Sequence, residues 1–171
     1  MEIFYFNLYR SQLGLISRSK IYKKEEYRGY NAIKRQYFFG LKIAMITTLD
    51  YKPIEFTFAP GSLHDSTISK KLDFNLPQNC KIYGDSAFSD DKFENLLIDC
   101  HKISPLFQRK SNSKNPHSLL DQYMIKKYRK SIETTFSMIN NLFPKKIHSV
   151  TTFGFELNIF FFILSFALTF L

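Results

Sequence analysis

Residues 81–90, KIYGDSAFSD, are where the reading of this chain turns. Ile82 and Tyr83 have strand character, Gly84 breaks the run, and Asp85 follows at once. Ser86, Ala87 and Ser89 are small or turn-prone, and Asp90 and Asp91 stand where a helix can begin. An acid in this setting has two readings. It can cap the next turn through its carboxylate, or it can face the crevice at the carboxyl end of a sheet, where open α/β folds bind ligands. The spacing leaves both open.

Outward from this stretch, short apolar runs alternate with helical patterns. YFFGLKIAMITT (37–48) and IEFTFAP (54–60) read as a β-hairpin joined by LDYKP. The polar, basic run 16–36 reads as a loop. GSLHDSTISKKL (61–72) offers a helix start that Asp65 or Ser66 could cap. CKIYG (80–84) reads as a buried strand, and in SDDKFENLLIDC (89–100) Phe93, Leu96, Leu97 and Cys100 recur at helical spacing. KISPLF (102–107) predicts one more strand. From Leu119 to Leu142, Ile125, Tyr128, Ile132, Phe136 and Ile139 follow steps of three or four, with Glu133 at the border of the apolar stripe and Arg129 one turn before it. A loop, FPKKIHSVTTFGF, then leads to an apolar closing helix at 157–171. The order predicts an α/β fold, a mixed sheet flanked by helices on both faces.

The 171 residues suffice for a single domain with a real core. An apolar fraction of 44% and an aromatic fraction of 17% exclude disorder. Cys80 and Cys100 have neither metal-ligand spacing nor a disulfide framework, which points to reduced thiols in a cytoplasmic protein. The opening MEIFYFNLYR shows no secretory pattern. The terminal run LNIFFFILSFALTFL has 15 residues, short of the roughly 20 that a membrane span needs, so a buried core helix is expected and a C-terminal membrane anchor is the alternative.

The net charge of +9 is unevenly spread: residues 101–171 hold ten Lys/Arg against three Asp/Glu, all ten between Lys102 and Lys146. Such a block suits a phosphate backbone, because each neutralised phosphate releases counterions. Lys110, Lys114, Lys126, Lys127 and Lys130 are the candidate DNA contacts. Asp85 and Glu133 are the candidate metal ligands: two carboxylates in one pocket repel unless a cation neutralises them, and Mg²⁺ takes oxygen ligands together with substrate phosphates.

YRGYNAIKRQYFFGLKIAMITT, FTFAPGSLHD, IYGDSAF and YRKSIETTFSMIN occur in that order, with the spacings of DDE-type insertion-sequence transposases. Over roughly residues 18–170 the chain resembles their catalytic domain, which has an RNase H-like fold. The resemblance implies an Asp–Asp–Glu triad holding two Mg²⁺ ions for DNA strand cleavage and transfer, with double-stranded DNA and mobile-element ends as partners. Asp85 matches the second Asp and Glu133 the Glu. Arg129 matches a basic position of the last motif, and His64 with Asp65 matches a recurring pair of supporting residues. It further implies a homodimer on paired DNA ends and association with the bacterial nucleoid, with no membrane role.

The first acid is missing. The opening stretch, a divergent first strand at 1–15, contains only Glu2, and the next acid before Glu55 outside the basic run, Asp50, falls in the hairpin turn. Ala44, Ser86, Phe88 and Asn140 stand where relatives often carry His, Lys, Tyr and Lys. The family's N-terminal helical DNA-binding region has no counterpart. The expectation is therefore a single catalytic domain over 1–171, a truncated or frame-shifted remnant that is inactive or weakly active. The alternative within the same ancestry is a DNA-binding protein without catalysis.

Overall fold

A computed structural model describes residues 3–10, 21–31, 35–113, 115–142, 144 and 147–171, with the backbone alone for 3–10, 31 and 129–133. Its strands are β1 (Ile3–Arg10), β2 (Arg28–Asn31), β3 (Gln36–Phe39), β4 (Leu41–Thr48), β5 (Pro53–Pro60), β6 (Lys81–Gly84) and β7 (Ser104–Phe107). The helices are α1 (Asp65–Ser69), α2 (Asp91–Asp99), α3 (Leu119–Leu142) and α4 (Thr152–Leu168), with short 3-10 turns at Glu25–Tyr27 and Ser86–Phe88. Five strands form one mixed sheet in the order β5-β4-β1-β6-β7. Within it β1, β6 and β7 run parallel, while β4 is antiparallel to both β1 and β5.

The β4 strand shows why the sheet must be covered twice. Its residues are buried from Leu41 through Thr47, an uninterrupted run of the kind that a strand sandwiched between two layers requires. Ala44 and Ile46 join one core with Ile68 of α1, Phe93 and Leu97 of α2, and Ile82 of β6. Ile43 and Met45 point the other way, against Phe136 and Ile139 of α3 and Phe155, Ile159 and Ile163 of α4. Full burial of each such side chain contributes about 1.5–3 kcal/mol. Helices therefore lie on both faces, as the element order predicts.

Several local readings need correction. Residues 37–48 are two strands in two sheets: β3 pairs with β2 as a separate ribbon, and β4 belongs to the main sheet. The break is Gly40, whose N–H donates to Tyr27 O at 3.0 Å and whose carbonyl accepts from Gly61 N at 2.9 Å. Part of the stretch expected as loop, Arg28–Asn31, is thus strand. Three main chains meet at this point, and a Cβ on Gly61 would stand 2.5 Å from Tyr27 O and 2.9 Å from Gly40 O. Only glycine allows that approach.

Asp65 does not cap α1; His64 holds the N-cap position without a side-chain bond, and Asp65 is the first helical residue. In α2 the buried stripe is Phe93, Glu94 and Leu97, whereas Leu96 and Cys100 are exposed, because α2 meets β7 along a narrow seam. The closing helix starts five residues earlier than expected, at Thr152, where the Thr151 hydroxyl accepts from Gly154 N at 3.0 Å. It is half-buried, not a core helix: Phe155, Ile159, Ile163 and Phe166 pack inward while Phe153, Phe161 and Leu168 remain exposed. Among the described residues no helix is long and apolar enough to cross a membrane.

Asp90 is the N-cap of α2, accepting from Lys92 N at 3.0 Å. Its hydrogen bond from Lys70 Nζ at 3.0 Å, aided by the cap bonds, holds its carboxyl below the usual carboxylate range. Asp90→Ala should cost about 1 kcal/mol at neutral pH. Since the folded pKa is the lowered one, the contribution is complete above about pH 4 and is lost as pH falls through the folded value. Urea-denaturation midpoints of the two proteins should converge in acid; a gap that persists there would show that the carboxylate is not its source.

Candidate functional site

The parallel pairing of β1 with β6 fixes the geometry of the sheet edge. Ile3 pairs with Lys81, Phe4 with Ile82, Tyr5 with Tyr83 and Phe6 with Gly84. The next residues along the two strands are Asn7 and Asp85. Asp85 therefore leaves the sheet at the carboxyl end of β6, and position 7 of β1 is its neighbour. Glu2 lies outside the described residues. The described part of β1 begins at Ile3, which pairs with Lys81, four positions before Asp85. Asp50 sits in the turn between β4 and β5, at the opposite edge.

Both early readings of Asp85 concern this one carboxylate, and the capping geometry is present. Asp85 is the N-cap of the 3-10 turn Ser86–Phe88, and its Oδ1 accepts from Ser86 N at 2.7 Å. Gly84 before it is a matter of space: a Cβ there would stand 2.8 Å from the Phe107 ring. The half-buried Asp85 follows directly.

The backbone of α3 crosses the same region. Ile125 and Tyr128 pack on Tyr83 of β6, the Tyr128 and Tyr83 ring centroids being 5.0 Å apart. Phe136 and Ile139 pack with Ile43 and Met45 of β4. Between Tyr128 and Phe136 the helix advances about 12 Å, which matches two strand spacings of about 4.8 Å with a diagonal crossing. The strand between β6 and β4 is β1, which α3 also contacts. Met45 is the register partner of Asn7. The helical segment carrying Glu133 thus passes over β1 near position 7. Arg129, Lys130 and Glu133 are placed by backbone alone.

His64 and Asp65 lie at the same edge, just after β5 ends. Lys42 is almost wholly buried, 6% exposed, and its ammonium donates to Asp65 Oδ1 at 3.0 Å and to Leu63 O at 2.5 Å. A buried ammonium needs such partners. The role of Asp65 on the page is thus to hold Lys42 and the loop before α1. His64 is exposed and lines a cleft of about 430 Å³ with Arg28, Tyr30, Tyr37 and Ala87. The lone Lys inside the apolar run LKIAMI is the sequence signal for this pair.

Of the basic residues, Lys110 and Lys126 line a second cleft, of about 260 Å³, with Arg109, His117 and Gln122. Lys127 is exposed, its ammonium 5.6 Å from the Tyr128 ring centroid. Lys114 lies outside the described residues. Arg109, the first basic residue of that block beyond β7, does structural work instead. It forms a bidentate pair with Glu94, at 2.7 and 2.5 Å, and donates to Ser89 Oγ at 2.7 Å, tying β7 and α2 to the turn that Asp85 opens. A helical Glu buried to 5% exposure had no signal in the sequence beyond its helical position.

Among the described residues no three His, Cys, Asp or Glu side chains come together as a metal site requires. Of the two expected ligands, only the Asp85 side chain is among those described; Glu133 is placed by backbone alone.

Arg109→Met leaves Glu94 buried and unpaired, for which the expected cost is about 3 kcal/mol. Adding Glu94→Leu should recover most of it, read as the shift in urea-denaturation midpoint. Equal losses in the single and double variants would show that the pair is not what holds α2 to β7.

The comparisons with known proteins bear on the whole arrangement. A family model described as the transposase DDE domain matches residues 11–168. The match begins immediately after Arg10, so β1 with position 7 precedes it. No curated protein and no solved structure matches the chain. The mixed sheet, with β1 central, β4 and β5 on one side, β6 and β7 on the other and helices on both faces, is the RNase H-like arrangement. With this fold and a match over most of its length, the chain belongs to the DDE transposase family.

Proposed function

We propose that this transposase domain retains the DNA-handling surface of a strand-cleaving and strand-joining enzyme but has little or no activity, because the first acidic position is Asn7. The observation that supports this reading is the parallel β1–β6 register, which ends at Phe6 and Gly84 and is followed in the two segments by Asn7 and Asp85. An amide oxygen is a neutral ligand. It does not supply the charge that offsets a divalent cation, and two-metal phosphoryl transfer needs both ions held at once. Asp85 and Glu133 are proposed as the remaining catalytic, metal-binding acids, with Arg129, His64 and Asp65 supporting them. Were magnesium bound, its chemistry would be charge neutralisation at the scissile phosphate; the chain's own share is the placement of Asp85 by the β6 end and of Glu133 by α3.

The test is Asn7→Asp. The variant should bind Mn²⁺ or Mg²⁺ by calorimetry and nick supercoiled DNA, and a further Asp85→Ala or Glu133→Ala change should abolish both. Loss of an outer-shell partner alone costs about 10–100-fold in metal affinity or activity, so losing a ligand should exceed that range. Nicking by the unaltered chain would refute the impairment. An Asn7→Asp protein that gains neither property would refute the assignment of position 7.

A second reading, DNA binding without catalysis, is favoured by the cleft that brings Lys110 and Lys126 together. Each phosphate contact contributes about 0.9 to the slope of log affinity against log salt. Lys110→Ala with Lys126→Ala should weaken duplex binding and lower that slope by about 2, while Asp85→Ala leaves it unchanged. An unaltered slope in the double-lysine variant would remove this surface from the DNA path. Assembly as a homodimer and a nucleoid location are part of the same proposal and follow from the family alone.

A further inference from the structure

The β2–β3 ribbon stands apart from the main sheet, and its exposed face is aromatic. Tyr30 and Tyr37 are register partners, with ring centroids 5.1 Å apart and planes tilted by 56°. Both rings remain in water, 49% and 63% exposed. The Arg28 guanidinium lies 4.2 Å from the Tyr37 ring centroid, so a cation accompanies the aromatic surface. The ribbon is braced at its base, where a Cβ on Gly29 would stand 2.5 Å from Gly61 O and 2.3 Å from the Phe38 ring. Ser62 N donates to Glu26 O at 3.2 Å across the same junction. Rings on a braced support lose little freedom when a ligand stacks on them.

These tyrosines form one wall of the 430 Å³ cleft, and Ala87, two residues beyond Asp85, forms part of another. Exposed His64 and Ser62 and half-buried Ser66 add polar groups to the rim. The volume is within the usual range for a bound small group. A flat π-system with a phosphate beside it satisfies every feature at once: rings for the base, Arg28 and the rim for the anion. A base inside a duplex presents no free face, so the occupant must be unpaired or extruded.

We propose that the Tyr30–Tyr37 ribbon is a stacking platform for one unpaired DNA nucleotide, held next to the Asp85 turn. This rests on the DNA reading above and names which nucleotide state the site selects. Single-strand binders that stack a base on an aromatic ring owe roughly a tenfold affinity gain to each such base.

The experiment measures fluorescence anisotropy of the full chain with three labelled probes: a blunt duplex, the same duplex with a short 3′ single-stranded overhang, and that overhang made abasic. The overhang should bind about tenfold tighter than the blunt end, and the abasic overhang should bind like the blunt end. Tyr37→Ala and Tyr30→Ala should lose the preference with blunt-duplex affinity unchanged, and Tyr37→Phe should keep it. Equal affinity for all three probes in the unaltered chain overturns the platform while leaving duplex binding intact. So does a preference that survives in both alanine variants. Absence of binding to any probe overturns the DNA reading itself.

Discussion

The parallel pairing of Ile3–Phe6 with Lys81–Gly84 is the constraint on which the site depends. Parallel neighbours end at the same edge of a sheet, so the residues that follow them are forced together whatever their chemistry. That puts position 7 beside position 85. The same pairing leaves β1 flanked by β4 on its other side, and α3, anchored over Tyr83 at one end and Met45 at the other, has no path between them except across β1. Three segments far apart in the chain converge because of one register. A shift of that register by a single residue would turn every β1 side chain to the other face and dissolve the convergence.

Ion pairs that are almost out of water hold the same edge in shape. Lys42 and Asp65 join the start of β4 to the first residue of α1, and Arg109 and Glu94 join the end of β7 to α2. Such pairs recover little net stability after desolvation, but losing one partner leaves a buried charge that the fold cannot tolerate cheaply. They act as registration devices. Arg109 also reaches Ser89, at the close of the turn that Asp85 opens, so the loop after β6 is fixed at both ends, by Asp85 Oδ1 on Ser86 N and by Arg109 on Ser89.

Much of this was legible in the residues themselves. The strand ending at Gly84, the hairpin on either side of Asp50, the bounds of α3 and the amphipathic α2 follow from periodicity and turn chemistry, and the ordered motifs led to the family. What escaped has a common physical cause: each missed feature depends on contacts between distant segments. The β2–β3 ribbon hides in a basic, glycine-containing stretch that local propensity reads as loop, and it exists because Gly40 and Gly61 let three main chains touch. Glu94 looks like a surface residue until Arg109 arrives from β7. Asn7, the proposed first position, has no local signature that would mark it as a site residue. Only the strand register gives that position meaning.

If position 7 is the first acidic position, as proposed, an asparagine there would change the energetics of the edge as well as its chemistry. Two adjacent carboxylates repel, and the fold bears that cost only while a cation is present or one of them holds a proton. On the proposal that position 7 is the first acidic position, asparagine there would spare the edge this repulsion when no metal is bound. Replacement of a catalytic charge at that position would in this sense be a stabilising change. On the proposed reading, DNA engagement and cleavage would separate along the line between position 7 and the rest of the surface.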